Sequence, residues 1–398
     1  MMEDTIHAKF SPAQSAGLYV HVPFCLKKCD YCNFYSISDL SLRPAYLGAL
    51  EAEMRLVRQV PAKFDTLYIG GGTPSALAAE DISQIIANAL RHFNILSNVE
   101  MTLEVNPGTV TPESLNVYRR SGINRLNIGV QSFQNHNLRI LGRIHSAEDA
   151  ILCIERAWQA GFENIGLDLI YGLPGQNTEN WLRDLKQAIK IWPEHLSCYM
   201  LTAESDTPMD RNVKGGRIQL PGDNLVRELF DTTIDYLTAH GYDHYEISNF
   251  AGTAETGAEP RRSRHNLKYW SFAPYLGLGP SAHSFIEPVR FWNFRNVGKY
   301  VSQIKAGKLP IAEKERLTKE QMVIEAVYLG LRTARGIDLN GFEAKFGMNF
   351  AQSFNQTISE LEKGDMLRMI DGYCRLTRNG LPLLDSIVSM FICQEIGV

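Results

Sequence analysis

Three cysteines fall within one short stretch, Cys25-Leu-Lys-Lys-Cys29-Asp-Tyr-Cys32, at spacing Cys-x3-Cys-x2-Cys. A loop this tight can turn three thiolates toward one small inorganic body. Cubane iron–sulfur clusters are held by cysteine thiolates, normally four of them. Three in one loop, with no fourth close by, point to a cluster that leaves one iron open to a ligand from outside the protein. A structural zinc site is closed by four ligands in two separated pairs, and the chain carries no second pair. His21 sits on the preceding apolar run, which holds it back from the loop. A disulfide framework needs an oxidising compartment and an even set, whereas the chain has seven cysteines. Cys153, Cys198, Cys374 and Cys393 are scattered and are not expected to be ligands.

The elements that must position this loop start just before it. Leu18–Val22 reads as a strand, followed by a helix from Pro44 to about Gln59. Strands over Thr66–Ile69, Val99–Val105, Arg125–Val130, Asn164–Ile170 and Leu196–Leu201 follow, each pair separated by a helical pattern. Thr111 with Pro112 and Ser146 with Asp149 mark two helix starts, and Gly122 and Gly161 close those helices. Six such units argue an α/β fold with a parallel sheet and right-handed crossovers. Periodicity alone does not separate a barrel from an open sheet. Polar or glycine-rich residues recur just past each strand: Cys25, Gly71, Gly72 and Thr73, Glu104, Gln131, Asp168, and Tyr199. That end is where βα barrels keep their active sites. Gly70-Gly71-Gly72-Thr73-Pro74 can also bring bare backbone close to a ligand.

The alternation breaks after Thr202. Residues 252–259 are small and polar and read as a mobile loop. From Leu317 come helices over Lys319–Arg332, Leu339–Phe346 and Phe350–Lys363, a hairpin at Asp371-Gly372, and a last helix from about Leu381. Helices followed by a hairpin suggest a winged-helix-like unit. It carries eight basic against ten acidic residues, so no nucleic-acid footprint is expected.

The whole chain of 398 residues has 40 basic and 44 acidic side chains, a net charge of −4 that gives no general case for nucleic acid or anionic lipid. No apolar run approaches the roughly 20 residues of a spanning helix. Residues 1–10 lack the apolar core of a signal peptide. Free thiolates then imply a reducing cytoplasm.

The Cys-x3-Cys-x2-Cys loop, with Tyr31 before its last cysteine, resembles the radical S-adenosylmethionine (SAM) superfamily. The flanking Tyr19-Val-His-Val-Pro-Phe-Cys25 narrows the resemblance to oxygen-independent coproporphyrinogen III oxidases and the related HemW-type haem chaperones. It runs from about Leu18 to about Leu384. It implies a partial (β/α)6 barrel with a smaller C-terminal α+β winged-helix-like domain. The expected divisions are an extension 1–17, a barrel core 18–202, a barrel-completing region 203–316 and a C-terminal domain 317–398.

The resemblance also implies roles. Cys25, Cys29 and Cys32 would hold a [4Fe-4S] cluster whose open iron takes SAM. Gly71, Gly72 and Thr73 match the stretch holding the SAM amino group. Tyr19, Glu104, Gln131, Arg143 and Asp168 match further SAM contacts, a chemically coherent set of carboxylates for hydroxyls and ammonium and a guanidinium for a carboxylate. Two departures favour the chaperones over the oxidases. The oxidases continue the motif as Cys-x-Cys where this chain has Phe34, and they carry a longer segment before the cluster.

His265-Asn-Leu-Lys-Tyr-Trp270 matches the chaperones' His-Asn-x-x-Tyr-Trp signature. Histidine is a common axial ligand of haem iron, and Tyr269 and Trp270 offer flat faces to a macrocycle. Arg261, Arg262, Arg264 and Lys268 could pair with propionates. The expectation is a cytoplasmic haem chaperone, with haem as cargo, client haemoproteins as partners and a peripheral meeting with the membrane. The alternative is radical decarboxylation of coproporphyrinogen III.

Overall fold

The computed structural model describes residues 15–253 and 259–392. Most of the expected N-terminal extension, residues 254–258 of the expected loop, and Cys393 lie outside the described residues.

Six parallel strands form the centre of the molecule: β1 (Ala16–Val22), β2 (Lys63–Gly71), β3 (Asn94–Val105), β4 (Arg125–Gln131), β5 (Ile165–Tyr171) and β6 (His195–Met200). Helices cross between them. The helix Ala79–His92 buries Ile82, Ile85, Ile86 and Ala89, the three-and-four spacing that lays one face on a sheet. Both expected starts form reciprocal capping boxes, Thr111 with Ser114 and Ser146 with Asp149. The C-terminal ends of all six strands line one cavity, so the sheet must curve round it. This is a partial barrel.

The sheet continues on both flanks to twelve strands. On the β6 side run β7 (Tyr242–Glu246) and β8 (Asn249–Gly252), with β8 antiparallel to β6. On the β1 side, β9 (Tyr275–Leu278) is parallel to β1, and β10 (His283–Ile286), β11 (Val289–Asn293) and β12 (Ile311–Arg316) follow antiparallel. The outermost strand, Ile-Ala-Glu-Lys-Glu-Arg, is charged, which blunts the edge against pairing with another chain.

Within the barrel, strand alternation sends every second side chain inward. The inward rows contain Gly17 and Tyr19, Thr66 and Tyr68, Glu100, Thr102 and Glu104, Arg125, Asn127 and Gly129, Gly166 and Asp168, and His195, Ser197 and Tyr199. The barrel interior is therefore polar along its length.

The C-terminal unit has its own core, in which Val323, Val327, Leu331, Phe342, Phe350 and Phe391 are buried. Its helices pack on a three-stranded antiparallel sheet, β13 (Ile337–Asp338), β15 (Tyr373–Leu376) and β14 (Leu367–Ile370) in spatial order. Asp371 and Gly372 both take positive φ, 52° and 79°, as a two-residue hairpin turn requires. The helix expected over Phe350–Lys363 is broken into Phe350–Ser353 and Asn355–Lys363. Phe354, at the break, lies against the rings of Phe350 and Phe391 at 5.0 and 5.2 Å. Arg332 donates to Glu246 at 3.0 Å and Arg378 to Asp231 at 2.8 Å, tying this unit to the barrel.

Candidate cofactor site

The cavity at the strand ends has a volume of about 470 Å³. The cysteine loop forms one wall, fixed by backbone bonds from Cys25 N–H to Ile37 O (3.0 Å) and from Asp30 N–H to Leu141 O (3.2 Å). Cys25 Sγ hydrogen bonds with Thr73 Oγ1 at 3.3 Å, and Arg143 Nη1 donates to Cys29 Sγ at 3.4 Å. All three loop cysteines line the cavity; Cys153, Cys198 and Cys374 are buried elsewhere. Among the described residues no group of three His, Cys, Asp or Glu side chains converges to hold one metal ion. A cubane differs from a single zinc in giving each thiolate a separate iron, which suits the looser set.

Beside the loop, the glycine turn is forced by its neighbours. A Cβ on Gly72 would sit 2.8 Å from Phe24 O, and one on Gly71 (φ 112°) 2.6 Å from the His21 ring. His21 lies beneath, with Nδ1 bonded to Tyr19 Oη at 3.1 Å and Nε2 to Tyr35 O at 2.9 Å. Both nitrogens are engaged, so the ring braces the glycine turn and has no lone pair to spare for a metal.

Two carboxylates face the cavity. Glu104 accepts from Tyr68 Oη at 2.8 Å and from Gly71 N–H at 3.1 Å, and burial pushes it up to about 7. Asp168 accepts from Asn127 Nδ2 at 2.7 Å, and burial pushes it up to about 6. Its Oδ1 is buried without a partner, as is Arg143 Nε; Arg143 Nη2 donates to Gly129 O at 2.7 Å. Buried polar atoms are normally paired, so an unmet acceptor and an unmet donor on one cavity wall mark where a polar ligand fits. Gln131 reaches the cavity from left-handed backbone, φ 69°, where the β4–β5 register shifts. A non-glycine residue held there stores strain of about 1 kcal/mol or more, which recurs at ligand sites. Tyr19 lines the same space, and Phe34 stands 65% exposed at its rim.

His265 is not in this cavity. It is 1% exposed, with Nδ1 bonded to Thr66 Oγ1 at 2.8 Å and Nε2 to Tyr269 Oη at 2.9 Å, and burial pushes it down to about 3. Its ring stacks on Tyr68 at 5.0 Å. The expected axial ligand is thus a neutral plug at the opposite end of the barrel, carried on helix Arg264–Trp270, with neither ring nitrogen free for iron. Three of the four expected propionate partners are also engaged, Arg264 and Lys268 with Asp65 at 3.2 and 2.6 Å and Arg262 with Asp243 at 2.7 Å, while Arg261 is exposed. Trp270 lies under the Arg332 guanidinium at 4.3 Å.

Tyr68, Asn127 and Arg125 were not expected from the sequence. Their signal is there: in β4, Arg125, Asn127 and Gly129 alternate with Leu126, Ile128 and Val130, which marks one polar inward face.

The radical SAM superfamily signature matches residues 19–188, and the HemN C-terminal domain signature matches residues 317–383. The chain is 33% identical to heme chaperone HemW of Bacillus subtilis over 94% of this chain and 98% of that protein. With heme chaperone HemW of Lactococcus lactis it shares 32% over 95% and 98%. Coproporphyrinogen III oxidase (HemN) from Escherichia coli, a radical SAM enzyme, superposes with a TM-score of 0.83 at 25% identity, covering 97% of this chain and 92% of the other. Sequence and fold agree: the chain belongs to the HemW family of heme chaperones within the radical SAM superfamily.

Proposed function

We propose that the chain is a haem chaperone that carries a SAM-liganded [4Fe-4S] cluster and delivers haem to client haemoproteins such as respiratory cytochromes. The observation that carries the cofactor half is the cavity itself, where the cysteine loop, the glycine turn and the unmet Asp168 and Arg143 atoms share one space. Cys25, Cys29 and Cys32 would hold the cluster. Gly71, Gly72 and Thr73 would bring backbone and hydroxyl groups to SAM, Glu104 and Asp168 would accept from its ammonium and hydroxyls, and Gln131 and Arg143 would meet its carboxylate. Tyr19 would close the floor. A cluster with SAM on its open iron supplies one-electron reducing chemistry; the residues around it bind and orient.

The haem half is supported by the family and by Phe34, which stands where the oxidases have a cysteine. No helix among the described residues is long and apolar enough to cross a membrane. We place the protein in the cytoplasm, where the thiols stay reduced, meeting membranes through its clients. We divide it at 18–202, 203–316 and 317–398.

The test is an anaerobic reconstitution followed by haem titration, transfer to an apocytochrome, and incubation with coproporphyrinogen III, SAM and reductant. Haem binding and transfer without decarboxylated product is the expected result. Product accumulating over several turnovers would overturn the chaperone reading in favour of the oxidase.

A further inference from the structure

Midway down the barrel, between the cavity and the His265 plug, lies a charged group to which no role has been given. Arg125 is 1% exposed, and its Nε and Nη2 have no hydrogen-bond partner among the described residues. A guanidinium does not lose its proton, and a buried charge without a counter-charge is strongly disfavoured. The histidines beside it do not answer it: burial, with Arg125 adding to the effect, holds both His195 and His265 neutral. Glu100, the acid at the floor, accepts the backbone N–H groups of Arg264 and His265 at 3.1 and 3.0 Å.

One path does lead from Arg125 to a carboxylate. A Cβ on Gly166 would lie 3.1 Å from Arg125 Nη2 and 2.9 Å from Asn127 Oδ1, so the guanidinium and the amide oxygen share the face that glycine leaves open, with no hydrogen bond between them. The same Asn127 donates through Nδ2 to Asp168 Oδ2 at 2.7 Å. The amide thus gives its N–H to the carboxylate, while its oxygen lies over the same glycine as the guanidinium. We propose that Arg125 is the buried counter-charge of Asp168, acting on it through the side-chain amide of Asn127. Arg125 is in this sense a positioning residue. The proposal rests on the reading of Asp168 as a SAM contact.

The charged and titratable groups around Asp168 are Arg125 on β4, Arg143 beyond it, Glu104 on β3, Tyr68 on β2, Cys198 and Tyr199 on β6, and Tyr31 of the cysteine loop. Burial raises Asp168; hydrogen bonds from Ser197 and Asn127, and after them the charges of Arg125 and Arg143, pull it back. Arg143 is already bonded to Cys29 and to Gly129 O, which leaves Arg125 as the cation aimed through Asn127. Removing it raises Asp168 further, so protonation begins to compete with SAM at higher pH.

The experiment is SAM affinity of the anaerobically reconstituted protein between pH 5.5 and 9, for wild type, Arg125→Met, Arg125→Lys, Asn127→Ala and Asp168→Asn. In Arg125→Met and in Asn127→Ala the pH at which affinity falls should move up by about one unit or more, weakening SAM several-fold at pH 7 and little at pH 9. Arg125→Lys should keep most of the wild-type profile. Adding Arg125→Met to Asp168→Asn should cost nothing further, since the two act as one unit. An equal loss at every pH, or an additive double variant, would sink the Arg125 proposal alone. If Asp168→Asn leaves SAM affinity unchanged at every pH, the SAM reading of Asp168 fails first. Should Arg125→Met not fold, Asn127→Ala decides, because it cuts the bridge and leaves the charge in place.

Discussion

The two ends of the barrel carry the same kinds of residues in opposite states. At the cavity, Asp168 Oδ1 and Arg143 Nε are buried with no protein partner. At the plug, both nitrogens of His265 are bonded, and Arg264 and Lys268 share Asp65. Histidine, arginine and tyrosine nominate a site wherever they cluster. Whether their polar atoms are already met separates a binding surface from a structural one, because a folded protein rarely leaves a buried polar atom idle without a reason. By that test the strand ends await a ligand. The His-Asn-x-x-Tyr-Trp segment instead closes the barrel from below with its His265 ring fully met, although Trp270 Nε1 is buried without a partner; that is the end at which barrel residues serve stability.

The sharpest way to break this comparison is to remove a loop cysteine. Cys25→Ala, Cys29→Ala or Cys32→Ala should abolish iron and sulfide binding after anaerobic reconstitution. Cys153→Ala, Cys198→Ala and Cys374→Ala should retain about four of each. Cluster loss in any of the latter three would mean that the wrong thiols have been assigned. Within the same cavity, Glu104→Ala and Asp168→Ala should each weaken SAM by about tenfold or more, the worth of a charge-assisted hydrogen bond, while iron content stays at the wild-type level. Unchanged SAM affinity in both variants would remove the carboxylates from the site.

His265→Ala probes the other end. Two buried hydrogen bonds and a stacked ring are lost, and Thr66 is left without its partner, so stability should fall by roughly 2–4 kcal/mol in denaturant unfolding. The Soret band of added haem should not move. A shifted Soret with unchanged stability would restore His265 as an axial ligand and dissolve the contrast between the two ends.

The cavity was legible in the sequence because barrels place chemistry at strand ends. Cys25, Gly71, Glu104, Gln131, Asp168 and Tyr199 were each picked out by that rule, and all line one space. Helix starts were legible as well, since Thr111 and Ser146 carry their capping partners three residues on. The His265 segment has the composition of a ligand site, while its hydrogen bonds, from His265 to Thr66 and Glu100 and from Lys268 to Ser15, run to residues 165 to 253 positions away in sequence and leave no local sign. Strands β7 to β12 escaped for a related reason. They are short, and they are specified by the sheet edge they extend more than by their own pattern. The left-handed Gln131 has no local signature at all, because its strain is held by the cavity around it.

The smallest expected effect concerns how the empty cavity titrates. Glu104 and Glu53 are both pushed up to about 7 by burial, well above a carboxyl in an unfolded chain. The folded state therefore holds these protons more tightly than the unfolded state. The stability tied to them is full below the unfolded value and is lost as pH rises through about 7. Their histidine counterparts run the other way: His21 and His145 are lowered to about 4, so their contribution is present above about 6.5 and falls below it. Between pH 8 and 6.5 each carboxyl should contribute a gain of about 1 kcal/mol or less as pH is lowered, with the lowered histidines beginning to act against it, so its share is read in the cluster-free protein as the difference between wild type and the Gln variant. Glu53, capped by Gly279 N–H and the side chains of Asn293 and Tyr300, is fixed in structure and should titrate alike with or without SAM. Glu104 should not. If SAM is met by its carboxylate, as proposed, affinity should fall over the same window in which this carboxyl stabilises the apo fold. Glu104→Gln should remove its share of the stability change and flatten that part of the SAM profile, whereas Glu53→Gln should change stability alone. Parallel behaviour of the two variants toward SAM would show that burial, and not the cavity, governs Glu104.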